Sequence, residues 1–218
     1  FIIIIIILLL FVRNLNFLNG QSIIALRIGF LVLLVVQIIL GKMLYYVTDG
    51  GTDNSIGYFG WVIATDTRII TKGYGQAQGN EHQMESLRAE TYGGIAVFTF
   101  LKHYRIYYDI SHPPNTQKYY CDNSTLIQRL KYDQAEPPYP SQNIQADYDA
   151  HMTLQKIIQE LPGEMEIIHV KGHQDNKKKA TSCLTWQAQL NIIADSLATR
   201  ANYKLFHRRQ NKCALLLT

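Results

Sequence analysis

From residue 42 onward the spacing of apolar positions divides the chain into short extended runs and longer helical ones. Lys42–Asp49 (KMLYYVTD) is β-branched and aromatic and meets the turn signal Asp49-Gly50-Gly51, which predicts a strand ending at Asp49. Ile56–Thr65 and Arg68–Gly75 predict two more strands joined at Asp66-Thr67, completing an antiparallel meander. From Gln83 the period lengthens. Met84, Leu87, Thr91, Gly94, Phe98 and Leu101 recur at steps of three and four, the buried stripe of a helix. Lys118–Cys121 predicts a short strand stopping at Asp122-Asn123, and Ser124–Leu130 a helix. A polar, proline-rich loop (Glu136–Asn143) leads to a helix near Asp147–Glu160, closed by Leu161-Pro162-Gly163. Glu166–Lys171 predicts a fifth strand, followed by a polar loop holding Lys177, Lys178 and Lys179. A final helix carries Leu190, Ile193, Leu197 and Ala201 along one side. The order βββ-α-β-α-α-β-α implies an α/β domain, a mixed sheet packed between helices.

Ahead of this lies a mostly apolar segment with few charges. Residues 1–44 carry only Arg13, Arg27 and Lys42 as charges, and all 17 acidic residues follow them. The opening run FIIIIIILLLFV is too short to cross a bilayer. Ile23–Leu40 approaches the roughly 20 residues that a span needs, with Arg27 and Gln37 near its ends, where polar groups cost least. Three readings fit: a membrane anchor through residues 23–40, a signal peptide, or low-complexity sequence without a structural role. No small-residue cleavage site follows, which weighs against the signal peptide. The chain does not open on Met and reads as a piece of a longer protein. The organisation expected is an apolar segment 1–44, a domain over 45–203 and a C-terminal tail over 204–218. A membrane location follows only if the apolar segment inserts.

The net charge of +4 belongs largely to that segment, leaving the domain close to neutral. Cys121, Cys183 and Cys213 are odd in number and far apart, which excludes a disulfide-stapled mini-domain and offers no zinc spacing. The apolar and aromatic content excludes disorder for the bulk of the chain. The lack of a repeat period excludes collagen, coiled coil and solenoid.

Candidate chemistry concentrates in carboxylates. Asp49 and Asp122 each end a predicted strand; if those strands are parallel neighbours, the two groups lie together at one sheet end, where α/β proteins usually place their sites. Glu90 flanks the buried stripe of the first helix, and Asp195 sits one turn after Asn191 in the last. Four carboxylates from four distant elements suit two Mg²⁺ or Mn²⁺ ions about 4 Å apart, an arrangement that activates water and stabilises the leaving oxygen in phosphodiester cleavage. Taken singly, each has a plainer reading: Asp49 as a turn residue, Glu90 as a solvated edge, Asp122-Asn123 as a helix cap, His173 as a loop histidine, and Lys177–Lys179 as a solvated loop.

Their order, however, resembles a known family. TDGG at 48–51, SLRAETYGGIAVFTFL at 86–101, YCDNSTLIQRL at 120–130, HVKGHQD at 169–175 and LNIIADSLA at 190–198 look like the successive motifs of ribonuclease H type 1, nearest to the ribonuclease H domains of retroelement reverse transcriptases. The resemblance covers about residues 45–203. It implies a ribonuclease H-like α/β fold, a five-stranded mixed sheet (three antiparallel strands plus two parallel) flanked by helices. It implies metal-binding carboxylates at Asp49, Glu90, Asp122 and Asp195, a mobile catalytic histidine at His173, and an asparagine of the nucleic-acid site at Asn191. The implied activity is metal-dependent cutting of the RNA strand of an RNA–DNA hybrid by a monomeric domain, nuclear or cytoplasmic, leaving a 3′-hydroxyl and a 5′-phosphate. No small-molecule cofactor is expected.

Three features depart from the family. The stretches Tyr107–Gln117 and Gln174–Gln187 are long. Ser86 and Arg88 stand where an asparagine often precedes the helical glutamate, and no basic handle helix is evident, a role that Lys177, Lys178 and Lys179 could take. Rival readings are a non-catalytic nucleic-acid-binding module of the same fold, a related DNA nuclease or integrase, and a membrane protein with an incidental soluble part. The intact carboxylate set speaks against the first, and GHQD followed by Asn191 and Asp195 against the second.

Overall fold

Alternation in the central strands assigns side chains to two opposite layers. A computed structural model describes residues 34, 37–38, 41–79, 82, 84–110, 117–133, 147–174 and 183–215. Its elements are β1 (Leu44–Asp53), β2 (Ile56–Ala64), β3 (Ile69–Gln76), α1 (Ser86–Tyr107), β4 (Gln117–Cys121), α2 (Ser124–Asp133), α3 (Tyr148–Glu160), β5 (Met165–His169) and α4 (Trp186–Leu215). The sheet is five-stranded in the order β3-β2-β1-β4-β5. β1–β2 and β2–β3 are antiparallel, whereas β1–β4 and β4–β5 are parallel, as the sequence predicts.

The central strand β1 is buried without interruption from Leu44 to Asp49, because both sheet faces are covered. Tyr46, Ile63, Tyr119 and Cys121 face one layer with Phe98, Leu101, Leu126 and Leu154 of α1, α2 and α3. Tyr45, Val47, Val62 and Tyr120, one residue out of phase, face Leu190, Ala194 and Leu197 of α4. Inside the first layer Phe98 meets Tyr46 and Tyr119 edge-on at 5.4 and 5.1 Å, the favoured geometry for aromatic pairs. α1 is pinned to the start of α3 by Arg88. This buried guanidinium donates to Asp149 at 2.9 and 2.8 Å, to Asp147 at 3.1 Å and to the Gln78 carbonyl at 2.7 Å.

One boundary differs from expectation in a way that matters for the site. β1 does not stop at Asp49. It runs through Gly50-Gly51 to Asp53, and the hairpin turns at Asn54-Ser55, with φ of 49° and 61°. A two-residue turn with both φ positive matches the right-handed twist of the flanking strands. The glycine therefore serves packing rather than turning. A Cβ on Gly50 would stand 2.5 Å from the Glu90 amide nitrogen and 2.6 Å from the Ala89 carbonyl carbon, so only a bare backbone lets α1 approach. Gly60, paired with Asp49 across the ladder, does the same for α4, where a Cβ would meet Leu197 Cβ at 2.7 Å and Ala198 N at 2.8 Å.

At the chain's other boundaries, the backbone of α4 continues helical to Leu215, through most of the expected tail. At the opposite end, Leu34 and Ile38 of the 23–40 run are fully buried in the same cluster as Leu44 and Tyr46. They lie on a helical turn ended by Gly41 (φ 62°), with Lys42 N–H donating to Gln37 O at 3.0 Å and Gly41 N–H to Ile38 O at 3.1 Å, the paired bonds of a Schellman cap. Among the described residues no helix is long and apolar enough to cross a membrane. The rest of the 23–40 run, the Glu136–Asn143 loop and Lys177–Lys179 lie outside the described residues.

Candidate active site

Parallel pairing of β1 with β4 decides where the two aspartates meet. Thr48 is opposite Cys121, so the next position on each strand places Asp49 beside Asp122 at one sheet end. Glu90, in the first turns of α1, lies against the bare backbone of Gly50. From the other layer, Asn191 of α4 donates its amide to Asp49 Oδ2 at 3.3 Å, and Asp195 follows one turn later. Beyond β5, His169 Nε2 donates to the Asp122 carbonyl at 3.0 Å, and the exposed His173, itself in the left-handed region (φ 49°), comes to the same place. Asp49, Glu90, Asp122, Asp195 and His173 all line one cleft of about 400 Å³. Asn191 sits buried beside it.

The electrostatics are those of like charges forced together. Burial, then the charges of Asp122 and Asp195, push the Asp49 carboxyl up to about 8, against the smaller opposing pull of the Gly50 amide and Asn191. Burial, then Asp49 and Asp122, hold Glu90 well above the ordinary carboxylate range. The Cys121 thiol donates to Glu90 Oε2 at 3.3 Å and is itself raised, first by burial and then by Glu90. Among the described residues lining the cleft there is no lysine or arginine to balance these groups.

The donor set fits a hard divalent cation. It consists of carboxylate oxygens, the ligands that Mg²⁺ and Mn²⁺ prefer. Asp122 Oδ1 is buried with no hydrogen-bond partner among the described residues, the condition of an anionic oxygen that a cation would satisfy. Ligand atoms of Glu90, Cys121 and Asp122 lie within 4.8 Å of one another.

Two lining or supporting groups escape a motif reading. Cys121 faces α1 because strand alternation turns it away from Asp122, a signal present in β4 but without meaning until its neighbour Glu90 is known. Tyr58 enters the cleft because β1 extends past Asp49 and pairs Gly51 with Tyr58. Arg88, which stands near the position of the family's asparagine, is committed to Asp147 and Asp149, while Ser86 does line the cleft.

No family model and no curated protein matches the sequence. Solved structures do. LC11-RNase H1, crystallised in complex with an RNA/DNA hybrid, is 14% identical over 75% of this chain and 99% of its own, with a TM-score of 0.52. RNase H1 from the halophilic archaeon Halobacterium salinarum is 15% identical over 74% of this chain and 98% of its own, with a TM-score of 0.48. The protease-reverse transcriptase of prototype foamy virus is 18% identical over 73% of this chain, which corresponds to 21% of that larger protein, with a TM-score of 0.48. With the strand order, the pairing directions and the covering helices established above, the likeness to LC11-RNase H1 shows that this chain has the ribonuclease H-like fold.

Proposed function

We propose that the chain is a metal-dependent endonuclease that cuts the RNA strand of an RNA–DNA hybrid, and that it derives from a retroelement. The observation that carries this reading is the meeting of Asp49, Glu90, Asp122 and Asp195, from β1, α1, the end of β4 and α4, in one cleft with no lysine or arginine among the described residues that line it. A structural role would not favour it, since such a cluster costs stability in the absence of cations. The hybrid held by LC11-RNase H1 supports the same substrate class here.

Asp49, Glu90, Asp122 and Asp195 would hold two Mg²⁺ ions, Mn²⁺ being an alternative. Bound there, the ions supply the Lewis acidity that lets water attack a phosphodiester near neutral pH. The chain's own residues do the rest. Asn191 fixes the orientation of Asp49 through its amide, and the Cys121 thiol fixes Glu90. His173, exposed and outside any regular element, carries a proton to or from the scissile phosphate's oxygens, a role open to an imidazole because its two ring nitrogens can give and take a proton. Phosphates and 2′-hydroxyls, rather than base edges, hold the hybrid, so cleavage has little base specificity. Lys177, Lys178 and Lys179 add phosphate contacts.

The deciding assay incubates the full 218-residue chain with labelled RNA–DNA hybrid, duplex DNA and duplex RNA, in Mg²⁺ or EDTA. Mg²⁺-dependent cutting of the RNA strand of the hybrid alone is the expected result. Binding of all three without any cutting would instead favour a non-catalytic module, and cutting of duplex DNA would favour a DNA nuclease.

A further inference from the structure

Telling RNA from DNA requires a group that meets the ribose 2′-hydroxyl, which both donates and accepts a hydrogen bond. Arg88 is unavailable for this, since its fork is closed on Asp147 and Asp149. The wall of the cleft formed by the β1–β2 hairpin offers Tyr58 instead. Tyr58 pairs with Gly51 two residues along the ladder from the Asp49–Gly60 pair, so it shares a sheet face with Asp49. Its half-buried ring lies over the bare Gly51 backbone, where a Cβ would come 3.0 Å from Cε2 and 3.3 Å from the phenol oxygen. A Cβ at 51 would press the ring aside by a few tenths of an ångström. Packed this way, the phenol loses little freedom on binding, which favours a specific contact over a flexible one.

Its surroundings suit a neutral hydroxyl. The fields of Asp53 and Asp195 both reach the phenol, so a cation here would be held by them, and a further carboxylate would repel the phosphates of a nucleic-acid strand. Burial, then Asp53 and Asp195, raise the phenol above its ordinary value, which keeps the O–H proton in place for donation. A protonated phenol adds no charge and can both give and take a hydrogen bond.

We propose that Tyr58 is a specificity-determining residue, whose hydroxyl binds a ribose 2′-hydroxyl of the RNA strand beside the acidic cluster. The proposal rests on the hybrid-nuclease reading and names the group that distinguishes the two strands. The test compares the full chain with Tyr58→Phe, which keeps the ring, for binding in EDTA to an RNA–DNA hybrid and to a DNA duplex of the same sequence. The expected result is a loss of about three- to tenfold in hybrid affinity, the value of one hydrogen bond, with duplex DNA affinity unchanged. A second arm moves a single 2′-deoxyribose through the RNA strand. At one position it should cost the wild-type chain the same factor and cost Tyr58→Phe nothing, because the partner is already gone. Equal losses on both duplexes, or no loss on the hybrid, would overturn the proposal while leaving hybrid cleavage standing. A wild-type chain that binds both duplexes alike would overturn the hybrid reading itself, and Tyr58's role with it.

Discussion

A carboxyl that in water titrates near pH 4 is held to about 8 at Asp49, and its cause is visible: burial plus two acidic neighbours. Asp49→Asn and Asp122→Asn keep the shape but remove the charge that would bind cations. Hybrid cleavage by either variant should fall to background, while thermal unfolding in EDTA should show a fold at least as stable as wild type. Wild-type turnover in either would sink the carboxylate assignment. On the proton-carrier role proposed for His173, His173→Ala should lower the cleavage rate about 10²–10⁴-fold, with the Mg²⁺-induced rise in melting temperature unchanged. The acidic residues were legible in the sequence because each lies in a motif whose order resembles a family. Cys121 and Tyr58 were not, because a thiol or a phenol acquires a role only from what packs against it, here Glu90 and Gly51.

At the scale of elements, the antiparallel meander and the helical stripe of α1 were legible from turn signals and periodicity, whereas the parallel pairing of β1 with β4 was implied only by the family resemblance. The end of β1 was not legible. Asp-Gly-Gly carries the same local signal whether the chain turns or a helix presses on it, and only the Ala89–Glu90 backbone over Gly50 separates the two. This close approach predicts that Gly50→Ala, mild in a loop, is costly here. Its methyl meets backbone atoms that cannot rotate away, so α1 must shift, at a cost of about 1–3 kcal/mol. Urea unfolding should show the lowered midpoint. The cleavage rate should fall as well, since Glu90 moves with α1. A midpoint equal to wild type would mean that the helix tolerates the methyl.

For the whole molecule, raised carboxyl pKa values make stability depend on pH in the less familiar direction. Between about pH 4 and pH 8 the folded chain holds protons at Asp49 that the unfolded chain has released, so metal-free stability falls as pH rises across that window. In EDTA the melting temperature should be lower at pH 8 than at pH 5, and Asp49→Asn should flatten the slope. Added Mg²⁺ should raise it more at pH 8 than at pH 5, because cations compete with those protons. The phosphate contacts proposed for Lys177, Lys178 and Lys179 are tested at this scale too. Replacing all three lysines with Ala should reduce the slope of log K against log salt for the hybrid by up to about 2–3 units, roughly 0.9 per lost phosphate contact. An unchanged slope would return the loop to ordinary solvated surface.

The burial of Leu34 and Ile38 bears on how this chain can be handled. Aliphatic sequence ahead of an α/β domain invites removal before expression, and residue 45 is the tempting place to cut. Such a trimmed protein would lack two side chains that plug its interior, each worth about 2–5 kcal/mol when deleted from a packed site. That loss rivals the 5–15 kcal/mol that keeps a whole domain folded. A start point upstream of Leu34 keeps the plug and the Gly41 cap that feeds the chain into β1. Poor behaviour of a shorter piece would then report a missing wall of the core, not a defect in the acidic cleft.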